Sequence, residues 1–346
     1  DFSSLTPEEA RMKYRLKKDS QDWKVSLAQK DLQQSGPSEN GIKAVQYRPF
    51  DTRFTYFTGN SKGFHCRARG EVMEQMIAGK NLGLQTVRQT SIAAWQHVLV
   101  SPRITDSDHV SNITSERGSF FPLYRYPSAE EKALGFTKEA NFSQEFQRAL
   151  SGALGGNSFS AEDVFCYIYC VLHSNNYRSR YAEFLKIDFP RLPLTSSLEL
   201  FKGLAKFGAE LVALHLMESP KVKKPITKFV GPKDLIGTTD PTVGKASYSD
   251  ETVWLDKNQT IGFEGVPEEV WNFHIGGYQV CHKWLKDRQA KGGKNPRPGR
   301  VLTKEDRDHY QGIIVVLSET IRLMAEIDQV IDQHGGWPNA FKTKED

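Results

Sequence analysis

The chain has 346 residues, a formal net charge of +4 and a charged fraction of 25%. That length allows one large or two ordinary domains, each able to bury a core, and so small a net charge confines any nucleic-acid surface to a local patch. No run approaches the roughly 18 apolar residues of a membrane-spanning helix and no charged-then-apolar leader opens the chain, so the composition points to a cytoplasmic protein whose four cysteines are reduced. A polar first turn that begins at Asp1 rather than Met reads as a piece of something longer.

Residues 6 to 33 read as helical. Thr6, Pro7 and Glu8-Glu9 form an N-terminal cap with proline at the first helical position and acids near the positive end of the dipole. Trp23, Leu27 and Leu32 make an anchoring stripe, the Arg11 to Lys18 run is solvated, and 1–40 as a whole is a helical linker ending in the turn Ser35 to Asn40.

From 41 to 135, short aromatic and β-branched runs alternate with Gly, Pro and Asn breaks, the pattern of a β-rich subdomain with functional loops. Its cations are mostly arginine: Arg48, Arg53, Arg67, Arg69, Arg88, Arg103, Arg117 and Arg125 outnumber Lys43, Lys62 and Lys80. The planar fork of arginine matches a phosphate or the Hoogsteen edge of guanine, which points to a nucleic-acid reader. Val72 to Ile77 reads as a short helix and Leu84 to Val87 as a buried strand that delivers Arg88 and Gln89 at its end. Arginine pairs with guanine and glutamine with adenine, so this dipeptide is a base-reading candidate; the alternative is that Arg88 holds an internal carboxylate such as Asp51. Arg53, Arg67 and Arg69 are phosphate candidates.

Residues 128 to 160 carry Gly and Ser clusters and read as a link. From 160 to 218 the pattern is helical: Ser160 caps an apolar helix through Leu172, Asn175 to Arg180 is a polar turn, Tyr181 to Lys186 is a second helix, and Ser197 to Met217 a third. Cys166, Cys170 and His173 share a helix face, but no partner knuckle completes a four-ligand zinc site, so they read as core and no metal is expected. Residues 219–275 form a basic β-hairpin region. Lys221, Lys223, Lys224, Lys228 and Lys233 lie among prolines there, all but the last being phosphate candidates, and Val253 to Phe263 reads as a hairpin with a polar turn. Residues 276–346 are C-terminal helices: Tyr278 to Gln289, a basic flexible loop at 291–300, and a long helix from Thr303 to about Asp332 with Tyr310, Ile314, Leu317, Ile321, Met324 and Ile331 on one seam interrupted by Asp328. The fold class is α+β, a mixed-sheet subdomain with a helical subdomain and a long C-terminal helix. No Asn-Pro-Pro-aromatic run, glycine-rich cofactor loop, phosphate loop or paired-acid nuclease constellation occurs, so no catalytic residue is assigned.

Several segments occur in a telling order: YRPFDTRFTYF at 47–57, Arg67-Ala-Arg69 before Glu71-Val-Met, NLGLQTVRQ at 81–89, FPLYRY at 121–126, YRSRYAEFLKIDFPRLP at 177–193, IGGYQV at 275–280, WLKDR at 284–288 and GGWP at 335–338. Together they resemble the C-terminal specificity region of type ISP restriction-modification enzymes and related adenine methyltransferases, over nearly the whole chain. The resemblance implies a target recognition module for double-stranded DNA, serving an adenine-N6 methyltransferase domain of the same polypeptide that binds S-adenosylmethionine, in a phage-defence enzyme with ATP-dependent restriction on other domains. It also sorts the residues. Relatives that read different sequences share these motifs, so Arg48, Asp51, Arg53 and Arg88 should do work independent of sequence, whereas His109, Asn112, Ser115 and Arg117, in the loop 107–117, are base-reading candidates, and the basic stretch 219–233 is a second such loop. Two other readings stand beside it: a single-strand binder stacking bases on Tyr47, Phe54, Tyr56 and Phe57, and a docking domain whose arginines meet the acids of a neighbour.

Overall fold

The computed structural model describes residues 1–92, 94–232, 240–293 and 298–342. The first helix, α1 (Pro7–Lys13), opens on a capping box in which the Thr6 hydroxyl accepts from the Glu9 N–H and the Glu9 carboxylate accepts from the Thr6 N–H. Helix does not continue to 33. Of the apolar residues after Arg11, Met12 and Tyr14 are left exposed, the chain leaves the helix at Tyr14, and α2 (Val25–Ser35) starts afresh where the Asp19 carboxylate accepts the Val25 N–H. Trp23 does anchor this segment, donating its indole N–H to the Phe64 carbonyl.

Strands β1 (Ile42–Arg48) and β2 (Asp51–Tyr56) form a hairpin whose turn puts the buried Phe50 at a φ of 57°. Helix α3 (Gly70–Met73) and a 3-10 turn follow, then β3 (Gly83–Val87), β4 (Val98–Ser101), β5 (Ile104–Thr105), β6 (Gly118–Pro122) and β7 (Tyr124–Arg125). β3 is central in an antiparallel β4-β3-β6 sheet, and β5 joins β1 in parallel to give β2-β1-β5. Because Gln85, Thr86 and Val87 are buried, Arg88 and Gln89 emerge where the strand leaves the core.

The stretch 128–160 is not a bare link. It contains α4 (Ala129–Ala133), β8 (Glu139–Ala140), which pairs with β7, and α5 (Gln144–Ala153). Ser128 with Glu131 makes a capping box for α4 and Ser143 caps α5, so local caps override the glycine and serine density. Next come α6 (Ala161–Val171), α7 (Asn175–Arg180), α8 (Ala182–Ile187) and α9 (Leu198–His215). The polar run at 175–180 is helical rather than a turn because the Ser174 hydroxyl accepts from the Tyr177 N–H, and the Asp328 carboxylate accepts from the Asn175 and Asn176 N–H groups.

Strands β9 (Lys228–Val230), β10 (Ser247–Ser249), β11 (Thr252–Trp254) and β12 (Gly262–Glu264) form a sheet of order β10-β11-β12-β9. The β11–β12 turn is closed by Asp256, whose carboxylate accepts the N–H groups of Asn258, Thr260 and Ile261. Residues α10 (Glu268–Trp271), β13 (His274–Ile275) and β14 (Tyr278–Gln279) lead into α11 (Val280–Lys286) and α12 (Lys304–Gln333), the last opened by a Thr303–Asp306 capping box. Lys233 and part of the basic loop, 294–297, lie outside the described residues. Among the described residues no helix is long and apolar enough to cross a membrane and no His, Cys, Asp and Glu group could hold a metal.

The largest core lies where α6, α9 and α12 meet. Tyr169 donates to His215 Nδ1 (2.5 Å), His215 Nε2 donates to Thr320 (2.9 Å) and His173 donates to the Tyr169 carbonyl (2.7 Å), a tautomer set that needs neutral rings. Burial holds the pKa of His215 and of His109 down to about 3 and that of His173 well below its usual value. Unfolding therefore takes up protons below about pH 6.5, and stability should fall as pH falls from there, by up to about 4 kcal/mol per pH unit if all three rings contribute. Urea midpoints measured between pH 7.5 and 5 check this; a flat profile would show that the rings are not held neutral.

Gly208 of α9 touches the backbone of α6, where an added Cβ would sit 1.9 Å from the Cys166 oxygen, whereas at Gly203 the nearest atom lies 3.9 Å away. Gly208→Ala should therefore destabilise by about 1–3 kcal/mol through overpacking, and Gly203→Ala should stabilise by about 0.4–1 kcal/mol. Denaturant unfolding of the two variants measures both signs.

Candidate nucleic-acid interface

The YRPFD turn points mostly inward. Arg48 is buried, with Nη1 donating to Asp106 (3.0 Å) and Nη2 3.6 Å from Asp108, so it grips the start of the loop 107–117. Asp51 is 4% exposed and accepts from Arg53 on one side (2.9 Å) and from Arg288 on the other (3.1 Å). Arg288 in turn lies over Trp284, 3.4 Å from its ring centroid. Arg53 stacks on Tyr47 at 3.7 Å, and Arg48 lies against the same ring at 3.9 Å. Tyr47 is thereby covered by guanidinium groups and offers no free stacking platform, while Phe54 stands 76% exposed.

The loop 107–117 is built on a carboxylate that sequence reasoning passed over. Glu116 is fully buried between two exposed neighbours and accepts from Ser111 Oγ (2.6 Å), Thr90 Oγ1 (2.6 Å), His97 Nε2 (3.0 Å) and the Ser91 N–H (3.1 Å). Burial opposes its charge, but the donors from Ser111, Thr90 and Ser91 and the nearby His97 outweigh burial and hold its pKa below the ordinary value of 4.5. Burial also lowers the pKa of His97 against the pull of Glu116, so a neutral His97 donates from Nε2. One carboxylate thus staples Thr90, Ser91 and His97, just beyond Arg88 and Gln89, to the loop itself.

The IGGYQV segment braces the same loop from behind. Gly277 donates to the Val110 carbonyl (3.0 Å), Gly276 donates to the Gln96 carbonyl (2.8 Å) and the Tyr278 hydroxyl donates to the Asp108 carbonyl (2.8 Å). Gly276 has a φ of 55°, and a Cβ there would meet the Val110 oxygen at 1.9 Å. Both the left-handed backbone and the close approach demand glycine.

On this frame Asn112, Ser115 and Arg117 are exposed, as are Arg88 and Gln89. His109 is not: it is wholly buried and donates to Gln85 Oε1 (3.2 Å), so it belongs to the core and cannot reach a base edge. Arg88 pairs with Asp188 at 3.1 Å rather than with Asp51. With both side chains half or more exposed, that pair is weak and exchangeable.

The phosphate candidates do not share one cleft. Arg53 and Arg67 line a cleft of about 340 Å³ with Tyr47, Phe54 and His65, and Arg67 pairs with the exposed Asp22 at 3.4 Å. Arg69 is exposed at the start of α3. Lys223 lines a separate cleft of about 510 Å³ with Pro225, Asp308 and His309, while Lys224 and Lys228 are exposed. Lys221 sits between Glu210 (2.5 Å) and Glu319 (2.6 Å), which answer its charge from within the fold and remove it from the free cations.

The family model for the Type ISP C-terminal specificity domain matches residues 1–326. Among solved structures the chain is similar to a nuclease-deletion mutant of the Type ISP restriction-modification enzyme LlaGI in complex with a DNA substrate mimic, with TM-score 0.59 and 20% identity over 84% of this chain and 25% of that one. It is also similar to the ATP-dependent Type ISP restriction-modification enzyme LlaBIII bound to DNA, with TM-score 0.64 and 19% identity over 86% of this chain and 19% of the other. The DrdV–DNA complex determined by cryoEM gives TM-score 0.68 and 24% identity over 94% of this chain and 32% of that one. These likenesses establish a shared fold, and the chain spans a third or less of each solved polypeptide. No curated protein matches it.

Glu116→Gln replaces an acceptor oxygen by a donor and leaves a buried hydroxyl unpaired, at a cost of about 1–3 kcal/mol. Hydrogen exchange should rise at the amides of 110–117, of Thr90 and Ser91 and of 95–97 while α12 stays protected. In the unsubstituted chain the depressed Glu116 pKa makes the staple fully present above the ordinary value of 4.5 and lost as pH falls through the lower folded value. Unchanged exchange in the variant would show that Glu116 does not hold the loop.

Proposed function

We propose, since the chain belongs to the Type ISP C-terminal specificity domain family, that it is a target recognition module that reads double-stranded DNA for a site-specific adenine-N6 methyltransferase carried on the same polypeptide. The observation that carries this reading is the loop 107–117, whose polar tip is exposed while its base is fixed by the buried Glu116. Reading a base edge requires side chains held at defined positions. Asn112 pairs with adenine through N6 and N7, Arg117 with guanine through O6 and N7, and Ser115 with either. Arg88 and Gln89 stand at the edge of the same framework, and Arg88 exchanges Asp188 for a phosphate or a guanine.

Sequence-independent contacts come from exposed cations, Arg67, Arg69, Lys223, Lys224 and Lys228, and from the free edge of Arg53. The reading is supported by relatives of the same fold whose structures are DNA complexes. The methyl donor, S-adenosylmethionine, belongs to the methyltransferase domain, as restriction belongs to other parts of the polypeptide, and no residue of this chain is assigned to either. The target base would leave the duplex on the side of the catalytic domain while this module holds the rest of the site.

Selection from a random duplex pool at near-physiological salt should enrich one asymmetric motif of several base pairs. Asn112→Ala and Arg117→Ala should each relax the preference at one base pair, by about 1–3 kcal/mol, leaving the others intact. An unaltered motif in both variants would refute the loop assignment, and no enrichment by the unsubstituted chain would refute the recognition reading.

A further inference from the structure

The arginines that are not exposed among the described residues are neutralised within the fold, with one exception. Among the described residues, Arg11, Arg48, Arg53, Arg288 and Arg307 are buried or half-buried, and each has a carboxylate oxygen within 4.0 Å: Asp19, Asp106, Asp51, Asp51 and Asp240. Arg178 of α7 is half-buried and has no such partner. Its Nε donates to the Leu172 carbonyl at 2.8 Å and its guanidinium carbon lies 5.7 Å from the Trp95 ring centroid. Burial draws its pKa down to about 10, against the opposing influence of Tyr169 and Asp328, which leaves it a cation at neutral pH. Asp328 does not neutralise it directly, since that carboxylate accepts from Ser174 and from the N–H groups of Asn175 and Asn176.

The side chain lines a cleft of about 380 Å³ with Trp95, Gln96, Asn175 and Ser179, and no acid is among the lining residues. A cation partly withdrawn from water, fixed by a hydrogen bond at Nε and ringed by neutral donors, leaves its charge to be answered from outside. The cleft's position narrows the choice of anion. Gln96 and His97 belong to the segment stapled to Glu116, and the Gln96 carbonyl accepts from Gly276, so this wall moves as one piece with the loop 107–117.

We propose that this cleft holds one backbone phosphate of duplex DNA, with Arg178 as its charged ligand and Asn175 and Ser179 as further donors. The inference rests on the recognition reading above. Its consequence is a fixed register: a phosphate seated on the wall that carries the reading loop sets which base pair faces Asn112 and Arg117. The contact is independent of sequence, which fits the position of Arg178 inside the YRSRYAEF segment.

The test is the salt dependence of duplex binding by the full chain, read by fluorescence anisotropy on two duplexes of unrelated sequence. Arg178→Ala should weaken both by the same factor, on the order of tenfold for a charged hydrogen bond, and should reduce the slope of log K against log salt by about 0.9. Arg178→Lys should retain most of the slope. Ser179→Glu, an exposed change that sets a negative charge in the cleft, should reproduce the loss, and it decides the matter if Arg178→Ala unfolds. Unchanged slopes in Arg178→Ala and Ser179→Glu, or a loss confined to one duplex, would overturn the phosphate site and leave the recognition reading standing. No duplex binding by the unsubstituted chain would overturn both.

Discussion

The fold hangs on a buried carboxylate shared by two arginines 235 positions apart. Asp51 opens β2 at the turn of the first hairpin and accepts from Arg53 on the same strand and from Arg288 just beyond α11. A buried ion pair adds little net stability compared with an apolar replacement, but removing one partner leaves an unanswered charge and costs about 3–5 kcal/mol. The turn is held by other contacts as well: the Phe50 ring lies edge-on to His215, and His309 Nε2 donates to the Phe50 carbonyl. The first hairpin, α9, α11 and α12 therefore converge on two residues, and that convergence fixes where the sheet stands against the helices.

From that junction a second device carries order outward to the loop 107–117. Arg48 holds its start through Asp106 and Asp108, Glu116 holds its end, and Gly276 and Gly277 close on its middle. Arg48 and Glu116 are buried and the two glycines are pressed against backbone, whereas the side chains at the tip meet solvent. Such a division lets the tip change without loosening its support, because exposed loop substitutions away from packed features generally cost within about 0.5 kcal/mol. In the proposed recognition role, that separation would let the contacts at the tip change while their support stays.

Local signals were legible in the sequence, and long-range ones were not. The capping boxes at Thr303–Asp306 and Ser160–Asp163, the β3 strand and the turn closed by Asp256 all lie within a few residues of their causes. The helices inside 128–160 had the same kind of signal, Ser128 with Glu131, but glycine and serine density masked it. His109 and Asn112 look alike in sequence as polar members of one loop, and only the approach of Gln85 and Arg48 decides that the first is core. Likewise Asp328, which breaks the α12 seam, has its reason 153 positions away, where it accepts the Asn175 N–H.

The same distinction bears on how charge is to be read. Arginine density in the shared motifs points to a nucleic-acid surface, yet Arg48 and Arg288 are buried against acids of the fold and Arg53 is partly committed to Asp51. A paired internal cation releases no counterions when DNA arrives, since its charge is already answered within the fold. With a net charge of only +4, the proposed binding of duplex DNA would draw its attraction to phosphate from cations that lack a buried partner, such as Arg67, Arg69, Lys223 and Lys224 and the proposed ligand Arg178. In that proposal their number, and not the arginine content of the motifs, would set the salt dependence, while the internal pairs hold those cations in one register with the loop 107–117.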